Sequence, residues 1–173
     1  TRSANLFGDA IRLVRGGPRA VADKAFPNHA FIVINLGKEL FVAEEGPTGL
    51  KMNSMEKYTS DSDRIVAMYY WCGFDNLVAR GKALERIHYI LREQGNASTR
   101  IGKYDWTGLL SFVPGLRKIF RPSDGAEWCS ENVADIHAYA GAPFVNDRHV
   151  APDQLLDLMR APSGCRAVLG YYL

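Results

Sequence analysis

The hydrophobic pattern of the chain alternates between strand and helix periods. Two apolar runs, at 29–34 and 39–44, flank a turn segment that contains Gly37, and this arrangement predicts a β-hairpin. Other β-prone stretches predict strands at 50–58, 64–71 and 166–172. Apolar residues at helical spacing predict helices at 3–15, 75–94, 129–140 and 151–159. The pattern thus predicts a mixture of helices and strands that includes an antiparallel hairpin.

The register of the predicted hairpin places a histidine opposite a carboxylate. If Leu36 and Gly37 form the centre of the turn, His29 faces Glu44 at the open end of the hairpin. Alternate residues of a strand share a face, so the two side chains lie on the same side. The pair could serve catalysis, or it could be a structural hydrogen bond at a strand end.

Cys129 lies in the first turn of the predicted helix at 129–140. It shares one face with Val133, Ile136 and Ala140, and Gly141 is placed to end the helix. The partial positive charge at a helix N-terminus favours the thiolate, which is the nucleophilic form of cysteine. The alternative for a free cysteine is a small buried hydrophobic residue.

Cys129, His29 and Glu44 together match the needs of a cysteine hydrolase. Such an enzyme uses a thiolate, an imidazole that moves the proton, and a polar group that orients the imidazole. The remaining histidines are expected in surface or structural positions: His88, His137 and His149.

Composition narrows the classes of protein to which the chain could belong. A chain of 173 residues fits one domain spanning 1–173, and a net charge of +2 is too small to indicate nucleic-acid binding. Three cysteines without paired spacing argue against a disulfide framework, and no motif has metal-ligand spacing, so we expect no metal or cofactor. No apolar run is long enough to span a membrane and no signal-peptide core is evident, which leaves a cytoplasmic protein or one delivered by another route.

Four segments resemble the circularly permuted NlpC-type papain-like hydrolases, the YiiX/YebB-like group. They are Asn28–Val33, Phe41–Glu44 ahead of Gly46-Pro47, Lys103–Trp106 with Leu109-Leu110, and Trp128–Glu131. In that group a histidine opens a strand ahead of the cysteine helix, the reverse of the ordinary NlpC order. One departure is Asn132, where an apolar residue is usual.

The resemblance implies an α+β, papain-like fold in which an antiparallel sheet packs against the helix that bears the nucleophile. It implies Cys129 as nucleophile, His29 as base and Glu44 as the orienting residue. It also implies that Tyr104 lines the site and binds substrate. The implied activity is that of a cysteine amidase or peptidase, with bacterial cell-wall peptide (peptidoglycan) as the substrate by family analogy. Two alternatives stay open: a lipid acyl hydrolase or acyltransferase of the lecithin–retinol acyltransferase-like type, and a catalytically idle structural module of a larger assembly.

Overall fold

The structure is a computed structural model that describes residues 29–59, 68–111, 118–119, 127–143, 149–160 and 165–169. The predicted first helix at 3–15 lies outside these residues, as do parts of the strands predicted at 64–71 and 166–172. None of the helices in the described ranges combines the length and the apolar character needed to cross a membrane.

The described chain mixes helices and strands, as the hydrophobic pattern predicts. Three strands form an antiparallel sheet in the order β1 (Ile32–Leu36), β2 (Glu39–Gly46), β3 (Gly49–Ser54). A separate antiparallel pair joins β4 (Met68–Trp71) to β5 (Cys165–Leu169). The helices are α1 (Glu56–Thr59), a 3₁₀ turn (Cys72–Asp75), α2 (Leu77–Glu93), α3 (Trp106–Leu110), α4 (Cys129–Tyr139) and α5 (Pro152–Arg160).

The hairpin forms, but the predicted register is wrong by two residues. Leu36 pairs with Glu39, so the turn is centred on Gly37 and Lys38, and Val33 faces Val42. Gly37 has a φ of +82°, a conformation that glycine adopts without strain at the first central position of a two-residue turn. A shift of two residues leaves every side chain on its predicted face, because strand side chains alternate with a period of two.

Helix α2 buries only part of the face that its large apolar residues predict, namely the part with Ile87 and Ile90. Ala79, Ala83, Ile87 and Ile90 are buried, whereas Leu77, at 76% exposure, lies on the surface with Val78 and Leu84. Two alanines on the inner face let the helix approach its neighbours closely, so α2 packs through small residues along its N-terminal half. Asn76 begins the helix by accepting a hydrogen bond from the N–H of Val78 at 2.8 Å.

Helix α4 runs through the interior of the protein. The predicted face of Cys129, Val133, Ile136 and Ala140 is buried, and Gly141 follows the helix with a φ of +74°. Ile136 joins residues of the sheet and α2 in a single core cluster: Ile34, Ala43, Leu50, Ile87 and Ile90. A second cluster packs Val133 against α5. The sheet, α2 and α5 therefore enclose α4 and fix the position of its N-terminus.

The polar residues of α4 are buried as well, and each of four reaches a partner outside the helix. The Ser130 hydroxyl donates to the carbonyl of Val150, and Asn132 donates to Glu127 at 3.3 Å. Arg86 of α2 donates to Asp135 at 2.7 Å, and His149 hydrogen bonds to Glu131. Buried polar groups need such partners because an unpaired one costs on the order of 1–3 kcal/mol.

We expect Gly49→Ala to lower the free energy of unfolding by about 1–3 kcal/mol. Gly49 has a φ of +98°, and an added Cβ would lie 2.6 Å from Oε1 of Gln94 and 2.8 Å from the carbonyl oxygen of Gly102. Urea unfolding measures the change. Gly81→Ala is the control: a Cβ there meets nothing within 4 Å, and alanine should stabilise the exposed middle of α2 by about 0.5–1 kcal/mol. Equal stability of Gly49→Ala and the wild type would contradict the view that the start of β3 requires glycine at position 49.

Candidate active site

His29 and Glu44 form a hydrogen-bonded pair at the edge of the sheet. Nε2 of His29 lies 2.8 Å from Oε2 of Glu44, and both side chains are partly buried. His29 precedes β1, and continuing the observed register by one residue would place Phe31 opposite Glu44, which makes His29 and Glu44 diagonal neighbours on one face. The predicted contact is therefore present although the predicted pairing is not.

Further donors converge on the Glu44 carboxylate. Nδ2 of Asn53 donates to Oε1 at 2.8 Å, the hydroxyl of Tyr58 donates to the same oxygen, and Nζ of Lys57 lies 3.6 Å away. Burial favours the neutral acid, but hydrogen bonds from His29 and Tyr58 and the charges of His29 and Lys57 outweigh it and lower the pKa of Glu44 to about 2. Glu44 is therefore a fixed negative charge at neutral pH.

The thiol of Cys129 lies next to His29 at the N-terminus of α4. Cys129 is buried, and burial alone would raise its pKa. The charge of His29, a hydrogen bond to that imidazole and a hydrogen bond from the backbone of Ala30 outweigh burial and lower the pKa of the thiol. Because Nε2 of His29 is engaged by Glu44, the remaining ring nitrogen, Nδ1, is the one available to Cys129.

The same contacts act on the imidazole in the opposite direction. Burial disfavours the charged ring of His29, but the Cys129 thiolate and hydrogen bonds to Cys129 and Glu44 overcome this effect and raise the pKa of His29 to about 9. A thiol whose pKa is lowered beside an imidazole whose pKa is raised favours a thiolate–imidazolium ion pair at neutral pH. This pair is the activated form of a nucleophilic cysteine.

Tyr104 is held beside the start of α4 by a short parallel bridge to Glu127. The N–H of Glu127 donates to the carbonyl of Lys103 at 3.1 Å, and the N–H of Asp105 donates to that of Glu127 at 3.3 Å. Burial, with the nearby Cys129 thiolate and Glu45, raises the pKa of the Tyr104 phenol, so the hydroxyl keeps its proton. The structure thus places a buried, neutral phenol near the thiol, and the contact of Tyr104 with substrate stays a prediction.

The segment after Tyr104 packs closely against Trp128. Oδ1 of Asp105 accepts hydrogen bonds from the hydroxyl of Thr107 at 2.7 Å and the N–H of Gly108 at 2.9 Å, which begins α3. A Cβ at Gly108 would lie 2.3 Å from Cζ3 of Trp128, so only glycine fits. The indole Nε1 of Trp128 donates to the carbonyl of Val150 at 3.0 Å. These contacts fix the position of Trp128, the residue before Cys129.

The structure adds two features that the sequence analysis did not name. His149, expected in a surface or structural position, pairs with the buried Glu131 while more than half of its own side chain stays exposed. Glu45 follows Glu44 on β2 and buries its carboxyl group on the opposite face. The alternation of side chains along a strand could have predicted this burial, because it places Glu45 on the opposite face of β2 from Glu44. A carboxyl group on an apolar, inward-facing side of a strand must be paired, exposed or neutral.

Within the described ranges, no group of three or more His, Cys, Asp or Glu side chains is arranged to hold a metal ion. Comparison of the chain with family models, curated proteins and solved structures finds no match. Any inference about function therefore rests on the geometry of Cys129, His29 and Glu44.

We expect Glu44→Gln to lower the pKa of His29 by an amount on the order of 1 pH unit or more, because it removes a charged hydrogen-bond partner from Nε2. An NMR titration of the His29 ring carbons measures the change. Glu39→Gln removes an exposed carboxylate at the other end of β2 and should leave His29 unchanged. An unaltered His29 titration in Glu44→Gln would show that Glu44 does not hold the imidazolium.

Proposed function

We propose that the protein is a cysteine hydrolase in which Cys129 is the nucleophile, His29 the general base and acid, and Glu44 the residue that orients His29. The observation that carries the proposal is the chain of contacts from Glu44 through His29 to the buried thiol at the start of α4. Each group has the protonation state that its role requires, with a charged carboxylate, a protonated ring and an ionised thiol.

The reaction would proceed through an acyl-enzyme. The Cys129 thiolate attacks the carbonyl carbon of an amide or ester and forms a tetrahedral intermediate, whose oxygen backbone N–H groups at the start of α4 can stabilise. The bond from the carbonyl carbon to the leaving nitrogen or oxygen breaks, and imidazolium of His29 gives its proton to the leaving group. His29, now neutral, then takes a proton from water as its oxygen attacks the thioester carbonyl; the carbon–sulfur bond breaks, the carboxylic acid leaves, and the thiolate–imidazolium pair is restored.

We propose a papain-like fold of the permuted NlpC type for this site. A cysteine at the start of a buried helix that packs against an antiparallel sheet supports it, since the sheet supplies the histidine and the acid. The order His29, Glu44, Cys129 along the chain agrees with the permuted arrangement. On this resemblance, the substrate class we propose is the peptide of bacterial peptidoglycan.

A lipid ester is the second candidate substrate, and exposed apolar side chains near the site favour it. Trp106 lies half exposed with its ring centre 5.1 Å from that of Tyr104, and Leu110 of the same helix is exposed as well. Apolar surface beside a nucleophile can contact an acyl chain. This candidate uses the same three residues and differs in the acyl group that is attached to Cys129 and in the group that leaves, an alcohol in place of an amine.

The experiment is an incubation of the protein with peptidoglycan stem peptides and, separately, with phospholipid vesicles, followed by mass spectrometry. We expect new products from one substrate class and an acyl adduct on Cys129 in the intact protein. Cys129→Ala should abolish both, and His29→Ala should reduce turnover by about 10²-fold or more through loss of acid–base catalysis. Cys72→Ala is the matched control, because Cys72 is a free thiol outside the site.

The pattern of products separates the candidates. Stem-peptide cleavage supports the peptidase, and fatty-acid release supports the lipid hydrolase. Turnover that survives Cys129→Ala contradicts the proposed nucleophile. A correctly folded wild type with no turnover and no adduct on either substrate favours the idle structural module.

A further inference from the structure

The carbonyl group of Val150, two residues before α5, lies against the first turn of α4. It accepts a hydrogen bond from the indole Nε1 of Trp128 at 3.0 Å and another from the hydroxyl of Ser130. Val150 and both donor residues are buried. Trp128 and Ser130 are the sequence neighbours of Cys129, so the residues on both sides of the thiol are fixed to the same carbonyl.

His149 adds a further contact from the same segment. Its Nδ1 hydrogen bonds to Oε1 of Glu131, whose other oxygen, Oε2, accepts a hydrogen bond from the backbone N–H of Trp128 at 3.3 Å. The ring of His149 also lies near the indole of Trp128, with the ring centres 6.2 Å apart. The carboxyl group of Glu131 thus joins the imidazole to the backbone immediately ahead of Cys129.

The two side chains of this contact differ in exposure, since that of Glu131 is 3% exposed and that of His149 is 55% exposed. Burial, with the charge of Asp105, raises the pKa of Glu131 to about 7. The hydrogen bond and charge of His149 and the N–H of Trp128 act in the opposite direction. Removal of His149 therefore favours the neutral acid, which is a weaker acceptor for the backbone N–H.

We propose that His149 is a positioning residue for the nucleophile. By holding Glu131 against the N–H of Trp128, it fixes the start of α4. The Cys129 thiol at that position then stays beside His29, as the ion pair of the proposed function requires. The inference rests on that proposed function, and His149 need not contact the substrate.

The position of the thiol matters because its ionisation depends on short contacts. Burial opposes the thiolate of Cys129, and the charge of His29 with hydrogen bonds to His29 and Ala30 outweighs it. Hydrogen bonds weaken steeply when their geometry is lost. A first turn that frays would lose these contacts while the thiol stays away from water, so the thiol would keep its proton.

The test is alkylation of Cys129 by iodoacetamide in the folded protein between pH 4 and pH 9, followed by peptide mass spectrometry. We expect His149→Ala to raise the midpoint of the rate profile by about one pH unit, which lowers the rate at acidic pH about tenfold. His149→Asn should restore much of the wild-type profile, because its side-chain nitrogen is attached to the same carbon as Nδ1 and can donate to Glu131. His88→Ala, which removes an exposed histidine from α2, is the control and should match the wild type.

A second measurement follows the backbone contact itself. Amide hydrogen exchange of Trp128, observed by NMR, should be faster in His149→Ala than in the wild type and slower again in His149→Asn. Urea unfolding of each variant reports any loss of global stability. The bonds to Val150 do not use the side chain of His149, so both variants should fold. A purely structural role would change the unfolding curve and leave the alkylation midpoint of the folded protein where it is.

An unchanged midpoint in His149→Ala, beside a wild-type Cys129 that reacts at acidic pH, would overturn the inference and leave the proposed function intact. An equal loss in His149→Ala and His149→Asn would also overturn it, because the hydrogen bond to Glu131 would then not be what positions the thiol. A wild-type Cys129 that reacts only near pH 8.5, as an ordinary thiol does, would overturn both proposals together.

Discussion

Burial of α4 is the constraint on which the rest of the structure depends. Placing its thiol, its hydroxyl and the carboxyl groups of Glu131 and Asp135 in the interior is unfavourable unless each finds a partner or changes its protonation state. The partners come from distant segments of the chain, among them Arg86 of α2, His149 and Val150 before α5. The polar contacts that satisfy α4 therefore also join it to α2 and to the segment before α5.

The same constraint accounts for the chemistry of the site. A buried thiol is normally a weak acid, and Cys129 ionises only because His29 and the backbone of Ala30 compensate for its desolvation. His29 carries the balancing charge because Glu44, fixed by Asn53 and Tyr58, holds its other nitrogen. Glu45 has no such partner among the described residues and remains neutral. Each of these side chains is removed from water, and the groups that it contacts instead decide its protonation state.

Local signals in the sequence predicted the elements better than their contacts. Gly37 and Gly141 mark a turn and a helix end where the structure has them, since both adopt positive φ. The register was missed by two residues because the pattern cannot show which pair forms the turn centre, yet His29 and Glu44 kept their shared face. The buried face of α2 was predicted correctly at Ile87 and Ile90 but not in the N-terminal half, where the small residues Ala79 and Ala83 are buried and Leu77 is exposed. The contact of Glu131 with His149 joins segments 18 residues apart and leaves no periodic trace.

The central claim is that Cys129 and His29 form an ion pair, and its most direct test is the alkylation rate of Cys129 in acid. Iodoacetamide is applied from pH 4 to pH 7 to the wild type and to His29→Ala, with the modified peptides quantified by mass spectrometry and Cys72 as the internal comparison. The account predicts rapid modification of wild-type Cys129 well below the ordinary thiol pKa of about 8.5, and a marked loss of that reactivity in His29→Ala. Modification of wild-type Cys129 that begins only near pH 8.5, or a rate that His29→Ala leaves unchanged, would contradict it.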